Sequence, residues 1–197
     1  MLGGLVLLSA GCSGSDGQEN TQVSPQDAAS QALAEYDANK DGALDAKELE
    51  ACPGLLSALK RADKNKDGRL TADEIAERLA YFQQAGMQLD VNVEVALDGR
   101  PLAGATVTLV PEKIMGSTTR SASAVTDQEG TGYLTTEGDT GDPVAPGYYR
   151  IKVSKTVQGR EVVPPKYNAQ TVLGQEIVPD AMGRGSSHTV RLRLTSR

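Results

Sequence analysis

Tryptophan is absent from the 197 residues, phenylalanine and histidine each occur once, and cysteine occurs twice. One histidine, His188, and two distant cysteines, Cys12 and Cys52, leave no set for a mononuclear zinc or iron site, which draws on several His or Cys ligands. No serine sits in a nucleophile-elbow sequence. The tract Gly183-Arg184-Gly185 is too short to cradle a phosphate. These gaps predict that the chain is not an enzyme. Without Trp and with a single Phe, any core rests on Leu, Val, Ile, Ala and Tyr, and a sugar-stacking platform has only Tyr133, Tyr148 and Tyr167 to draw on. Basic charge is also scarce. The net charge of -6 predicts no nucleic-acid partner.

The acidic surplus is concentrated. Asp37, Asp41, Asp45, Glu48, Asp63, Asp67, Asp73 and Glu74 fall in two short windows. The first, from Asp37 to Glu48, reads DANKDGALDAKE, and the second, from Asp63 to Glu74, reads DKNKDGRLTADE. Calcium is a hard cation that takes about six to eight oxygen ligands. Loops of this pattern supply them from Asp, Asn and Asp at positions 1, 3 and 5, here Asp37, Asn39, Asp41 and Asp63, Asn65, Asp67. Position 6 is Gly, where the chain must turn sharply. Position 7 contributes only its carbonyl, from Ala43 and Arg69. Position 9 ligates directly or through water, from Asp45 and Thr71, and the position-12 carboxylates of Glu48 and Glu74 close each site. Leu44 and Leu70 at position 8 are placed to pair across the loops. The cofactor expected is therefore two calcium ions.

Helical spacing flanks both loops. Ser24-Pro25 reads as a cap followed by proline at the first helical position, with Ala28, Ala29, Ala32, Leu33 and Tyr36 on one face. A second helical stretch opens at Ala46 and stops near Cys52-Pro53-Gly54, a third covers Leu55 to Ala62, and a fourth runs from Ala72 to Gln84. Residues 24–85 thus resemble an EF-hand pair. Only 14 residues separate the loops, which leaves room for short helices and no wide target groove. No Met occupies a groove position, whereas sensor EF-hands are Met-rich. The pattern predicts a constitutive site more than a switch.

Beyond residue 88 the period changes to two. Leu89, Val91, Val93, Val95 and Leu97 alternate, as do Val107 and Leu109, then Tyr149, Ile151 and Val153, then Val190, Leu192 and Leu194. Further strands are expected near 120–126, 131–136 and 171–178. The runs Asp98 to Val107 (DGRPLAGATV), Thr126 to Gly130 (TDQEG) and Pro146 to Ile151 (PGYYRI) resemble carboxypeptidase regulatory-like, or transthyretin-like, domains. That resemblance implies an Ig-like antiparallel β-sandwich of about seven strands, with Tyr149 plugging its core, and implies no catalytic residues.

Residues 1–11 are short, apolar and end in small residues, as in an export signal. Leu8-Ser9-Ala10-Gly11-Cys12 resembles a bacterial lipobox, which implies lipidation at Cys12, a membrane partner and an exported, lipid-anchored envelope location. The fold expected is α+β in two domains: signal peptide 1–11, flexible tether 12–23, EF-hand pair 24–86 and β-sandwich 87–197. The function expected is that of a calcium-binding envelope protein with a structural or interaction role, toward an envelope protein or polysaccharide. Two alternatives stand beside it. One is a ligand-binding sandwich in which calcium serves stability alone, and the other is a calcium sensor.

Overall fold

The computed structural model describes residues 23–86, 88–138, 141–179 and 188–197. The signal-peptide and tether expectations, including Cys12, lie outside those residues, as do Met87 and the Gly183–Gly185 tract. The chain is an α+β protein in two parts, three helices followed by a large curled sheet.

Helix α1 spans Pro25–Tyr36. Ser24 caps it, its hydroxyl accepting from the Asp27 N–H at 3.1 Å. Helix α2 spans Pro53–Ala62 and α3 spans Ala72–Ala85. Thr71 and Glu74 form a capping box at the start of α3, and Gly86 closes it in the left-handed region at φ 53°. The second helical stretch expected from Ala46 is instead one 3-10 turn, Glu48–Ala51. Pro53 explains the difference. Its missing N–H and its ring cannot be accommodated inside a helix, so it opens a new one.

The sheet contains β3 (Val91–Leu97), β4 (Arg100–Pro101), β5 (Thr106–Pro111), β6 (Ala122–Val125), β7 (Thr131–Thr136), β8 (Gly147–Ser154), β11 (Gly174–Ile177) and β12 (His188–Leu194). Its order is β11-β8-β5-β6-β7-β3-β12, with β4 hairpinned onto β3. Two short strands, β9 (Thr156–Val157) and β10 (Arg160–Glu161), form a separate hairpin. The sandwich expectation is met by a single ladder that curls, because β7 serves both sides. Residues 131–134 of β7 pair with β3, and Thr135 and Thr136 pair with β6. All pairings are antiparallel but one: β12 runs parallel to β3. Parallel pairing needs a long crossover rather than a tight turn. β3 and β12 meet that condition, because they stand at opposite ends of this half of the chain, with β4 to β11 between them in sequence.

Two cores result. Leu89, Val93, Val107, Leu109, Leu134, Tyr149, Ile151, Val153, Ile177 and Leu192 fill the inside of the curl. The second core holds the helices, with Ala32, Leu49, Leu55, Leu70, Ile75 and Phe82, and it takes in Ile114, Tyr148 and Val178 from the sheet half. Successive strand residues face opposite sides. Tyr149 therefore points into the curl while Tyr148 points at the helices, and Ile177 points inward while Glu176 and Val178 point outward. Phe82 of α3 meets Tyr148 edge-on, ring centroids 5.1 Å apart.

The adjacent tyrosines give a paired prediction. The Tyr149 hydroxyl donates to the Ala145 carbonyl at 2.8 Å. The equally buried Tyr148 hydroxyl finds no hydrogen-bond partner among the described residues. Tyr149→Phe should cost about 1 kcal/mol in urea denaturation, while Tyr148→Phe, which removes an unpaired buried polar group, should be neutral or stabilising. Equal losses would contradict the assignment of the two faces.

The packing of helices on sheet is close. At α2's start the Gly54 N–H donates to the buried Glu112 carboxylate at 2.9 Å. Arg150 on β8 reaches the same carboxylate at 3.2 Å and donates to the Ala51 carbonyl at 2.8 Å. The stretch 162–168 is a packed connection, with Val163 and Tyr167 buried and the Tyr167 hydroxyl 3.2 Å from Thr195 Oγ1. Among the described residues, no helix is long and apolar enough to cross a membrane.

Candidate metal centre

The loops between the helices have the same backbone path. Lys40 and Lys66, each at position 4, have φ of 59° and 62°, and Gly42 and Gly68 at position 6 have φ of 87° and 84°. A Cβ at either glycine would meet nothing within 4 Å. Glycine is therefore needed there for its backbone conformation and not for space. β1 (Ala43–Asp45) and β2 (Arg69–Thr71) pair antiparallel, Leu44 directly opposite Leu70, both fully buried. This cross-loop pair is the one the spacing predicts.

The hydrogen-bond shells also match. In the first loop Asp37 accepts from the N–H groups of Asp41 at 3.2 Å and Gly42 at 2.9 Å, and Asn39 Oδ1 accepts from Asp41 N–H at 2.8 Å. In the second, Asp63 accepts from Asp67 at 3.3 Å and Gly68 at 2.8 Å, and Asn65 Oδ1 accepts from Asp67 at 2.9 Å. Glu48 and Glu74 reach back across their loops. Glu48 accepts from Ala38 N–H at 2.9 Å and Asp45 N–H at 3.0 Å, and Glu74 accepts from Lys64 and Thr71 N–H, both at 2.9 Å. Burial acts to raise the Glu74 carboxyl, and the N–H and hydroxyl donors of Thr71, with the N–H groups of Lys64 and Asn65, outweigh it, so the acid is strengthened.

Each loop carries hard oxygen donors along its length: carboxylates and one amide, with the Thr71 hydroxyl in the second. Among the described residues no three His, Cys, Asp or Glu side chains already converge as a metal-holding group. The carboxylates are turned onto loop N–H groups instead. The donor chemistry suits calcium, which takes oxygens alone, and it offers no nitrogen or thiolate for a softer ion.

A family model described as EF hand matches residues 31–53 and 56–79. No curated protein and no solved structure matches the chain. These EF-hand motifs suggest calcium binding.

Four features lie outside the loop pattern. Arg69 was expected to contribute only a carbonyl, yet its guanidinium bridges the loops, 2.5 Å from the Asp41 carboxylate. The lone thiol of Cys52 is fully buried beside Tyr36. Burial and, after it, the Glu112 carboxylate push its pKa up to about 12, so it is an inert packing group. Glu176, wholly buried on β11, is held by Arg61 and Arg78 from α2 and α3. His188 opens β12 with its ring buried, and that burial, with the Arg61 charge after it, lowers its pKa.

Proposed function

We propose that this chain is a two-site calcium-binding protein whose ions serve a constitutive structural role. Asp37, Asn39, Asp41, Ala43, Asp45 and Glu48 would hold one ion, and Asp63, Asn65, Asp67, Arg69, Thr71 and Glu74 the other, with Ala43 and Arg69 giving backbone oxygen. Bound calcium would supply a divalent charge that neutralises clustered carboxylates and fixes each loop. The observation that carries the reading is the near-identity of the two loop geometries, joined by the Leu44–Leu70 pair.

The structural role draws support from the covered face. The apolar side of the helices, which a sensor would keep for a target, is occupied by Ile114, Tyr148 and Val178 of the same chain. The remaining parts of the proposal rest on sequence. They are an exported, lipid-anchored envelope protein modified at Cys12, a carboxypeptidase regulatory-like sheet, no catalytic activity, and an envelope protein or polysaccharide as partner.

Calorimetric calcium titration, beside a Glu48→Gln, Glu74→Gln double variant, tests the reading. Two ions bound by the parent and none by the variant is the expected result. Affinity of about 10⁻⁴ to 10⁻³ M fits a structural role outside the cytosol, and micromolar affinity would revive the sensor. No binding by the parent would sink the proposal.

A further inference from the structure

The buried carboxylate of Glu176 lies 98 residues along the chain from Arg78, yet Arg78 Nε donates to its Oε1 at 2.6 Å. Arg61 Nε stands 2.9 Å from the other oxygen, Oε2, a charge contact without hydrogen-bond alignment. Glu176 is fully buried, and Arg78 nearly so. A carboxylate without water is stable only when it is paired, so this contact is costly to break.

The two arginines have a particular place relative to the second loop. Arg61 is on the last turn of α2, two residues before Asp63. Arg78 is one helical turn past Glu74, on α3. α2 enters that loop and α3 leaves it. One carboxylate on the sheet therefore fixes the spacing between the helix ends that the loop must span. Just past the first loop the arrangement nearest in kind is buried Glu112, which pairs with Arg150 and accepts from the Gly54 N–H while Arg150 donates to the Ala51 carbonyl. That contact comes from the sheet alone and holds one backbone segment, so it does not bridge side chains of the two helices that flank the loop.

We propose that Glu176 is a positioning residue for the second calcium site: calcium binding at Asp63–Glu74 and docking of the helices on β11 are thermodynamically coupled through the Arg61–Glu176–Arg78 clamp. The proposal rests on the calcium reading above. Its sign follows from two effects that act together. The clamp pre-orders the loop's flanks, so less conformational freedom is lost when an ion binds. It also offsets one of the two positive charges that Arg61 and Arg78 place near a divalent cation's site. Removing Glu176 loosens the flanks and raises the net positive charge there by one, and both effects weaken calcium. Linkage makes the effect reciprocal, so calcium at the second loop tightens docking by the same factor.

The test is calcium calorimetry on the full chain carrying Glu48→Gln, so that only the second loop is read, with and without Glu176→Gln. The expected result is a second-loop affinity weakened by about fivefold or more, the lower end of ordinary coupling between sites. The matching comparison in a Glu74→Gln background reads the first loop, whose affinity should change by less than about twofold on the same scale. A second-loop change below that twofold, or equal losses at both loops, overturns the coupling. Arg61→Lys is measured alongside, because it keeps the positive charge beside the loop, removes the guanidinium that meets Oε2 and leaves the Arg78–Glu176 pair in place. It should weaken the second loop by a smaller factor. Should Glu176→Gln fail to fold, Arg61→Lys decides alone, and an unchanged second-loop affinity overturns the proposal. Absence of calcium binding in the Glu48→Gln chain is seen before Glu176 is altered. It removes the calcium reading, and the coupling falls with it.

Discussion

Gly174→Ala should detach α2 from the sheet and cost about 3 kcal/mol, the upper part of the usual range for overpacking. A Cβ at Gly174 would lie 2.0 Å from the Pro53 carbonyl carbon, 2.1 Å from its oxygen and 2.3 Å from the Gly54 nitrogen. All three are backbone atoms of α2's first turn, so no side chain can swing aside. α2 must move instead, and several contacts move with it. The Gly54 N–H leaves Glu112, Arg150 leaves the Ala51 carbonyl, and Arg61 leaves Glu176. Gly→Ala also lowers the entropy of the unfolded chain, which returns about 0.4–1 kcal/mol, so the measured loss is a net value. Gly54→Ala provides a graded comparison. Its Cβ would meet Glu112 Cγ and the Tyr149 nitrogen, both at 2.8 Å, and one of those is a flexible side chain. Urea denaturation should rank Gly174→Ala as the more damaging of the two. A loss below about 0.5 kcal/mol, the range of neutral surface changes, would mean that helix and sheet do not approach this closely.

The elements were largely readable because their periods differ. Alternation over Val91–Leu97, Tyr149–Val153 and Val190–Leu194 located β3, β8 and β12, the cap at Ser24 located the start of α1, and helical spacing from Ala72 located α3. The loops were readable because coordination chemistry fixes residue type position by position. The docking of the two halves was not. Alternation shows that Tyr148 and Tyr149 face opposite ways, but it does not say what covers each face. Tyr148 and Val178 read equally as ordinary strand residues, and Glu176 as a solvated one. Their environment comes from α2 and α3, about a hundred residues earlier in the chain. The parallel register of β12 on β3 was hidden for a similar reason, since pairing partners far apart in sequence leave no local mark.

Chelating calcium should produce the second large effect, a fall in thermal stability with partial exposure of the interface. An ion bound only by the folded chain stabilises by about 2.7 kcal/mol at a hundredfold excess over Kd, so two matched sites contribute about 5 kcal/mol. In a chain of this size 1 kcal/mol shifts Tm by roughly 2–4 °C, which predicts a fall of about 10–20 °C. From sequence alone the helical part would be expected to melt first and leave the sheet folded. The sheet does keep its own core inside the curl. The interface alters what that intermediate looks like, because Ile114, Tyr148 and Val178 belong to the core of the helices and would be uncovered. Cys52 reports the event. Its thiol is fully buried and its pKa is pushed up to about 12, so it should resist disulfide reagents while the helices are packed. In a Cys12→Ser chain, labelling of Cys52 should accelerate by about tenfold or more on chelation, as opening by 1.4 kcal/mol alone would give. Binding of an apolar dye should rise with it. Helical circular dichroism should fall while the β signal persists. A Tm unmoved by calcium at a hundredfold excess over the measured Kd, with Cys52 equally protected throughout, would show that the helices hold to the sheet by packing and the buried ion pairs alone. Loss of both signals in one step would show instead that the sheet depends on its helical cover, with Glu112 and Glu176 unable to remain folded into a surface whose arginine and N–H partners have gone.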